Sequence, residues 1–312
     1  MTKKSAKPLI TLFKTLLIGG VVYIIATKIN GKDILHAFST IDPLCGWSAF
    51  GLALMVMAIN LIKWDYIVRA FAQGERKHII ASFYAGYSLA LVTPGGVGEL
   101  GRCLFLPHIH RNTGITLTII DKLFNLLLMI IFGSIAFTLI PSRLPAGIIL
   151  FSGLFAGIII ACMLFYIAAP RSLYALAVRF PRLRKGHAKH YISVLRKTNP
   201  RANGIIFILS LVSYILYTIE FTLFAYALGV SDAWFAALAF MAAILIKNLI
   251  PLSVADIGIR ELSLVGLFSL SGHAPEPALA ASFIQYFANI LLPSLIGLIF
   301  VIKKGGISRG KQ

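Results

Sequence analysis

The sequence predicts a single all-α, polytopic membrane domain over residues 1–312, with six full transmembrane helices and two oppositely directed re-entrant hairpins. Three observations predict it. First, 58% of the residues are hydrophobic and 13% are charged, about half the charged share of a soluble domain, and the mean hydropathy is +0.87. Second, several apolar runs approach the ~20 residues that cross a bilayer core. Third, two apolar regions are interrupted by proline, glycine and paired charges. Broken backbone and charge are tolerated at membrane depth only where protein or water covers them.

The elements follow in order. Lys3, Lys4 and Lys7 precede an apolar run from Pro8 to Lys28. It is long for a signal-peptide core and lacks a small-residue cleavage site, so it reads as an uncleaved first helix. Lys14, near its start, is expected to snorkel to the basic side. A second helix is expected from Pro43 to Ile62, followed by a loop opening with Lys63-Trp64-Asp65-Tyr66, whose aromatic residues suit an interfacial belt. Residues 79–106 form the first broken stretch. Helices are then expected from Ile115 to Ile140 and from Ala146 to Ala169, joined by the turn Pro141 to Pro145. The segment 170–203 is strongly basic: from Arg171 to Arg201 it carries nine lysines or arginines and no acid. A helix from Gly204 to Leu228, the second broken stretch at 233–271, and a last helix from Ala278 to Ile302 complete the chain.

Charge assigns the sides. Lysine and arginine collect in cytoplasmic loops. By that rule the N-terminus, the loops near Arg69 to Lys77 and His108 to Arg111, the segment 170–203 and the C-terminus are cytoplasmic. Both flanks of residues 79–106 then lie on one side, which a hairpin satisfies and a single span does not. The flanks of 233–271 are near-neutral or acidic, which places that hairpin on the opposite face. Two opposed broken helices meeting near the midplane are the pattern of an inverted-repeat transporter. The formal charge of +18 fits basic loops against anionic lipid at the cytoplasmic surface; no nucleic-acid partner is expected.

The first break reads Thr93-Pro-Gly-Gly-Val-Gly-Glu-Leu-Gly-Arg102 and the second Pro251-Leu-Ser-Val-Ala-Asp-Ile-Gly-Ile-Arg-Glu261. Proline removes a backbone donor and glycine opens conformations closed to other residues. Five of the eleven acids fall in apolar segments or at the breaks: Glu99, Asp121, Glu220, Asp256 and Glu261. A charge at a helix centre costs ~2.5–3.5 kcal/mol on insertion scales, so each must pair, hydrate or be neutralised. Arg102, Lys122, Lys247 and Arg260 are the expected partners. A cavity bearing both signs suits an anionic or zwitterionic head group. The candidate head-group residues are Glu99, Arg102, Lys247, Asp256, Arg260 and Glu261. The alternative role for the same charges is to pin the hairpins together. Asp121 and Asn125 share a helix face at four-residue spacing, as do Gln285 and Asn289. With Lys122 and Glu220 they are candidate supporting groups, as ligand contacts or as interhelical hydrogen bonds.

Signs of enzymatic chemistry are poor. His108 and His110 lack a neighbouring carboxylate in sequence, and His187 and His190 lie in a basic segment, so no metal spacing is evident. Cys45, Cys103 and Cys162 show no paired spacing. The glycine-rich break is not followed by Lys-Ser/Thr, which excludes a nucleotide phosphate loop. No cofactor is expected.

At these motifs the chain resembles the flippase-like family related to the transmembrane domain of lysylphosphatidylglycerol synthases. A Pro-Gly segment leading to Gly-Glu-x-x-Arg is similar to Pro94 through Arg102. The family's Glu-Arg-x-x-Asp is similar to Asp121-Lys122-Leu123-Phe124-Asn125, with changed residues. A later Pro-x-x-x-Gly-Gly-x-Gly-x-Arg-Glu looks like Pro251 to Glu261, with Asp256 in place of a glycine. In the synthases this membrane domain is linked to lipid translocation, while a separate soluble domain makes the lipid. No such soluble domain is expected in these 312 residues, so the resemblance implies transport rather than aminoacylation.

The expected function is therefore a lipid translocase of the prokaryotic inner membrane, not an enzyme and not driven by ATP. It would move a phospholipid or polyprenyl-linked lipid, with both termini cytoplasmic; homo-oligomerisation stays open. The alternatives are an intramembrane lipid-modifying enzyme that uses the buried carboxylates, and an accessory subunit of a lipid-carrier or glycosyltransferase system.

Overall fold

The computed structural model describes residues 42–91, 93–140, 153, 157, 160, 161, 200–250 and 258–309. The expected first helix, nearly all of the helix expected from Ala146 to Ala169, the basic segment up to residue 199, and residues 251–257 of the second break, with Asp256, lie outside the described residues. No strand occurs among the described residues.

Helix α1 (Pro43–Phe71) starts with Asp42 accepting a hydrogen bond from the Leu44 amide at 2.9 Å and with proline in the first turn, a combination that satisfies and pre-sets a helix N-terminus. Helix α2 (Arg76–Leu91) is followed by a 3-10 segment, Pro94–Phe105. Helix α3 (Arg111–Leu139), α4 (Pro200–Ala227), α5 (Ala233–Leu249) and α6 (Ile259–Leu270) come next. The last rod consists of α7 (Glu276–Tyr286), a π-turn (Phe287–Leu291) and α8 (Leu292–Arg309). The π-turn sits where Pro293 offers no amide to the Asn289 carbonyl; proline forces such widening.

Four of these helices, Pro43–Phe71, Arg111–Leu139, Pro200–Ala227 and Glu276–Lys303, are long and apolar enough to cross a membrane. The outer faces are apolar: Leu54, Met55, Ile208, Ile215, Leu298 and Ile299 are exposed, while Lys63, Arg102, Asp121, Glu220, Arg260 and Glu261 are buried. Charge inside and large apolar side chains outside is the arrangement a lipid solvent imposes. This is a multi-pass membrane protein.

Contacts order the helix ends. The Asp42 amide donates to the Ala227 carbonyl at 2.9 Å, joining the start of α1 to the end of α4. Asp232 caps α5 by accepting from the Phe235 amide at 2.8 Å, and Phe235 stacks on His273, just past α6, at 4.4 Å. So α5 and α6 run antiparallel and both open at this acidic end. At the opposite end, His108, beyond the 3-10 segment, meets Glu75, just before α2. The α2 and 3-10 pair therefore opens at the other end, near Arg69, Arg76, Lys77 and Arg111. There Lys77, bonded to Glu75, holds the Glu75 carboxyl below the usual carboxylate range. The two broken pairs open at opposite ends of the fold. Their long legs, 16 and 17 residues, rise about 24 and 26 Å, short of the ~30 Å hydrocarbon core.

Two expectations are corrected. Helix α1 runs on through Phe71, so Lys63-Trp64-Asp65-Tyr66 is helical rather than a loop. Trp64 is fully buried in an apolar cluster with Ile67, Phe71, Ile79, Phe83 and Leu117, not at an interfacial belt. The leg returning from the first break is a 3-10 helix of 12 residues, whereas an α-helical half was expected. Its tighter winding brings it close to α2: a Cβ on Gly98 would lie 1.9 Å from the Leu89 carbonyl oxygen. The turn is secured by Thr93, whose hydroxyl accepts from the Gly98 amide at 2.6 Å and donates to the Leu89 carbonyl at 3.0 Å.

Gly98→Ala is therefore expected to lower the thermal midpoint in detergent, by an overpacking cost of about 1–3 kcal/mol. Gly204→Ala, where an added Cβ meets nothing within 4 Å, is expected to leave it unchanged or raise it slightly. Equal midpoints for the two variants would contradict this packing.

Candidate functional site

Glu99 and Arg102 lie three residues apart on the 3-10 leg, and at three residues per turn such side chains stack on one ridge. Arg102 is 3% exposed. Its guanidinium donates to Asp121 Oδ2 at 3.1 Å and stands 3.6 Å from Glu99 Oε1. The rings of Trp64, Phe83 and Tyr87 cover it at 4.9, 5.4 and 5.9 Å. A desolvated cation against aromatic faces gains ~0.5–2 kcal/mol per ring. Gly86 supplies the room, since a Cβ there would lie 2.5 Å from Arg102 Nε. Trp64 is itself oriented by donating Nε1–H to Ser82 Oγ at 2.8 Å.

Asp121 takes a second cation through its other oxygen. Lys63, 1% exposed, lies 2.8 Å away and also donates to Asn125 Oδ1 at 2.7 Å. Lys122 pairs with Glu99 Oε2. One network thus joins three cations, Lys63, Arg102 and Lys122, to two carboxylates, and ties α1, the 3-10 leg and α3 together.

The second cluster is more self-contained. Gly258, at φ 118°, adopts a backbone that side chains disfavour and starts α6. Glu261 accepts from its amide at 2.7 Å, capping the helix from its third position. The other Glu261 oxygen accepts from Arg260 at 2.7 and 3.0 Å and from Ser282 Oγ at 2.9 Å. Arg260 also donates to the Ser282 carbonyl at 3.0 Å and to Tyr217 Oη at 3.2 Å. Beside it, Asn289 donates to Glu220 at 2.6 Å and Gln285 donates to the Tyr217 carbonyl at 2.8 Å. Glu220, Gln285 and Asn289 therefore bond α4 to the last rod.

Between the clusters lies a polar cavity of about 190 Å³. The side of the first cluster contributes Glu99, Lys122 and Asn125; the other side contributes Tyr217, Lys247 and Asn289. Ser210 and Tyr214 on α4 also line it, and their hydroxyls are buried with no hydrogen-bond partner among the described residues. A buried hydroxyl without a partner costs ~1–3 kcal/mol. Tyr214 also lines an apolar groove of about 390 Å³, with Phe132, Ile215, Ile219, Trp234 and Met241. The polar cavity and the apolar groove meet at one side chain.

The structure places the sequence-derived candidates as follows. Glu99, Lys122, Asn125, Lys247 and Asn289 line the cavity. Arg102 and Arg260, expected to border it, do not line it. Each stands one residue behind the wall, Arg102 against Glu99 and Tyr87 and Arg260 against Tyr217. Their other partners, Asp121 for Arg102 and Glu261 and Ser282 for Arg260, are buried and do not line the cavity, which holds the guanidiniums behind the wall. Asp121, Glu220, Glu261 and Gln285 are buried in the supporting networks. Asp256 lies outside the described residues.

Sequence reasoning missed Lys63, Trp64 and Tyr214. The buried positions Val56, Lys63, Trp64, Ile67, Val68 and Phe71 recur at the three- and four-residue spacing of one helix face. That spacing was the available signal for Lys63. Nothing local marks Tyr214.

The fold and site define a class: a multi-pass helical membrane protein whose charged groups are gathered inside, around a polar cavity. Residues 11–297 match the family described as the lysylphosphatidylglycerol synthase TM region, and the chain belongs to that family. A stretch of 79 residues, 25% of this chain, is 34% identical to a UPF0104 membrane protein of Methanothermobacter thermautotrophicus. That stretch spans 22% of the relative's own length.

The network makes a stability prediction. Removing one partner of a buried ion pair leaves an uncompensated charge and costs about 3–5 kcal/mol. Asp121→Asn, which leaves Lys63 and Arg102 short of a counter-charge, is expected to destabilise by this order. Lys63→Met, after which Asp121 still holds Arg102, is expected to cost less, and the double change less than the sum of the two single changes. A double-mutant cycle on thermal or chemical denaturation checks this; strict additivity would contradict the pairing.

Proposed function

We propose that this protein is a lipid translocase whose cavity takes the head group of an anionic phospholipid or lipid-linked phosphate. The observation that carries the reading is the shared wall at Tyr214 between a polar cavity and an apolar groove. Amphipathic substrates need both. The ionisable lining, Glu99, Lys122 and Lys247, carries an excess of one positive charge, which favours phosphate. The cavity of about 190 Å³ is below the ~300–1,000 Å³ of pockets that enclose a drug-sized ligand. That suits a head group and is too small for a whole lipid. An acyl chain gains little by leaving lipid for an apolar groove, so the groove guides while the cavity discriminates.

The same reading places the α2 and 3-10 pair as a re-entrant hairpin from the cytoplasm and the α5 and α6 pair as one from the outer face, in a prokaryotic inner membrane. The basic residues at the first opening and the acidic ones at the second support that orientation. With the two helices that the sequence predicts at residues 8–28 and 146–169, the sum would be six spans and an inverted-repeat-like core. The family's name, which refers to a lipid synthase, supports a lipid-related role.

The test is purified protein in liposomes that carry a reporter phospholipid. Wild type is expected to move the lipid between leaflets unchanged. Lys122→Gln together with Lys247→Gln is expected to slow this at least about tenfold, or ~1.4 kcal/mol in the barrier, without loss of thermal stability. A chemically altered lipid would favour the modifying enzyme. No movement and no alteration would favour the accessory subunit.

A further inference from the structure

The mouth of the first broken pair brings together three groups that are far apart in sequence. Glu75 and His78 begin the entering leg, and His108 follows the returning one. His78 Nδ1 lies 3.7 Å from Glu75 Oε2, and His108 Nε2 lies 3.9 Å from Glu75 Oε1. The three donor atoms fall within 4.8 Å of one another. The two imidazole rings meet edge to face at 6.1 Å. His78 Nδ1 is buried and has no hydrogen-bond partner among the described residues.

We propose that Glu75, His78 and His108 bind a divalent transition-metal ion that staples the two legs of this hairpin together. Two imidazoles and a carboxylate are a ligand set that zinc accepts. Zinc bonds of ~2.0–2.2 Å at tetrahedral angles put donors about 3.3–3.6 Å apart. The observed separations need only sub-ångström to ångström closure. Lys77, 2.7 Å from Glu75 Oε2, competes for the carboxylate, but its side chain is 74% exposed and is free to swing into solvent. A fourth position stays open to water.

The position gives the metal a task. Glu75 accepts the first backbone bonds of the entering helix, from His78 and Ile79, at 3.0 and 3.1 Å. On the returning side, Leu106 and Ile109 flank His108 and pack into the apolar cluster with Trp64 and Phe83. An ion at this point ties the entry and exit of the leg that carries Glu99 and Arg102, and so rigidifies the first charge cluster from outside it. Nothing local in the chain marks the site: His108 has no acid near it, and the fold brings Glu75 from 33 positions upstream. This proposal does not depend on lipid being the substrate.

The test uses full-length protein in detergent, freed of any histidine tag, dialysed against Zn²⁺ and analysed for metal content. Wild type is expected to retain one zinc per chain more than each of Glu75→Gln, His78→Ala and His108→Ala. Zn²⁺ should raise its Tm and not theirs. His110→Ala is the control and should retain the zinc, because His110 instead accepts from the Asn112 amide. Should an alanine variant fail to fold, His108→Cys gives a second readout. With Co²⁺ it should show a thiolate-to-cobalt charge-transfer band that wild type lacks. Equal zinc in wild type and His108→Ala, or a cobalt spectrum of His108→Cys without that band, would overturn the site.

Discussion

The structure depends on the burial of Arg102 in a protein whose outside is hydrocarbon. A guanidinium never sheds its charge in a protein, so the fold must supply counter-charge, aromatic faces and space. It does so from four elements. Asp121 comes from α3, Glu99 from the same 3-10 ridge, and Trp64, Phe83 and Tyr87 close the rest. Gly86 must lack a side chain for the guanidinium to fit. Asp121 then requires Lys63 as well, which fixes the rotation of α1. One buried charge thus sets the packing of the helices around the first break.

The two clusters occupy matching places but are built differently. In the second, the paired charges are sequence neighbours, Arg260 and Glu261, closed by backbone and hydroxyl groups of α6 and the last rod. It is neutral as an ion pair and nine-tenths or more buried. The first is spread over separate elements and carries an excess cation, and its Lys122 is 53% exposed. The asymmetry gives the clusters different physical parts: the second anchors a helix N-terminus, while the first presents charge to the cavity. Under the proposed translocase reading, the head group meets Lys122, Lys247 and Glu99, with both arginines holding the walls behind them.

Much of this was legible in the chain and some was not. The broken stretches, the apolar spans and the i,i+3 pairing of Glu99 with Arg102 follow from composition and period. The pairing of Asp121 with both Lys63 and Arg102 does not, because it joins helices whose relative rotation only packing fixes. Lys63 was read as a loop residue because it sits beside Trp64, Asp65 and Tyr66, a polar and aromatic run that resembles a membrane interface. The arginines were expected at the cavity edge because charge at a break suggests a ligand. Which member of an ion pair faces the cavity depends on side-chain direction, and sequence spacing leaves that open. Tyr214 has no sequence signal at all: its role comes from standing where the polar cavity and the apolar groove meet.

The central claim is that the polar cavity holds a phosphate-bearing lipid head group. Mass spectrometry of lipid that survives a delipidating wash tests it most directly. Wild-type protein is predicted to retain anionic phospholipid in about stoichiometric amount, and the paired change of Lys122 and Lys247 to glutamine to release it while the fold persists. Equal retention by both proteins, or retention of uncharged lipid alone, would contradict the account.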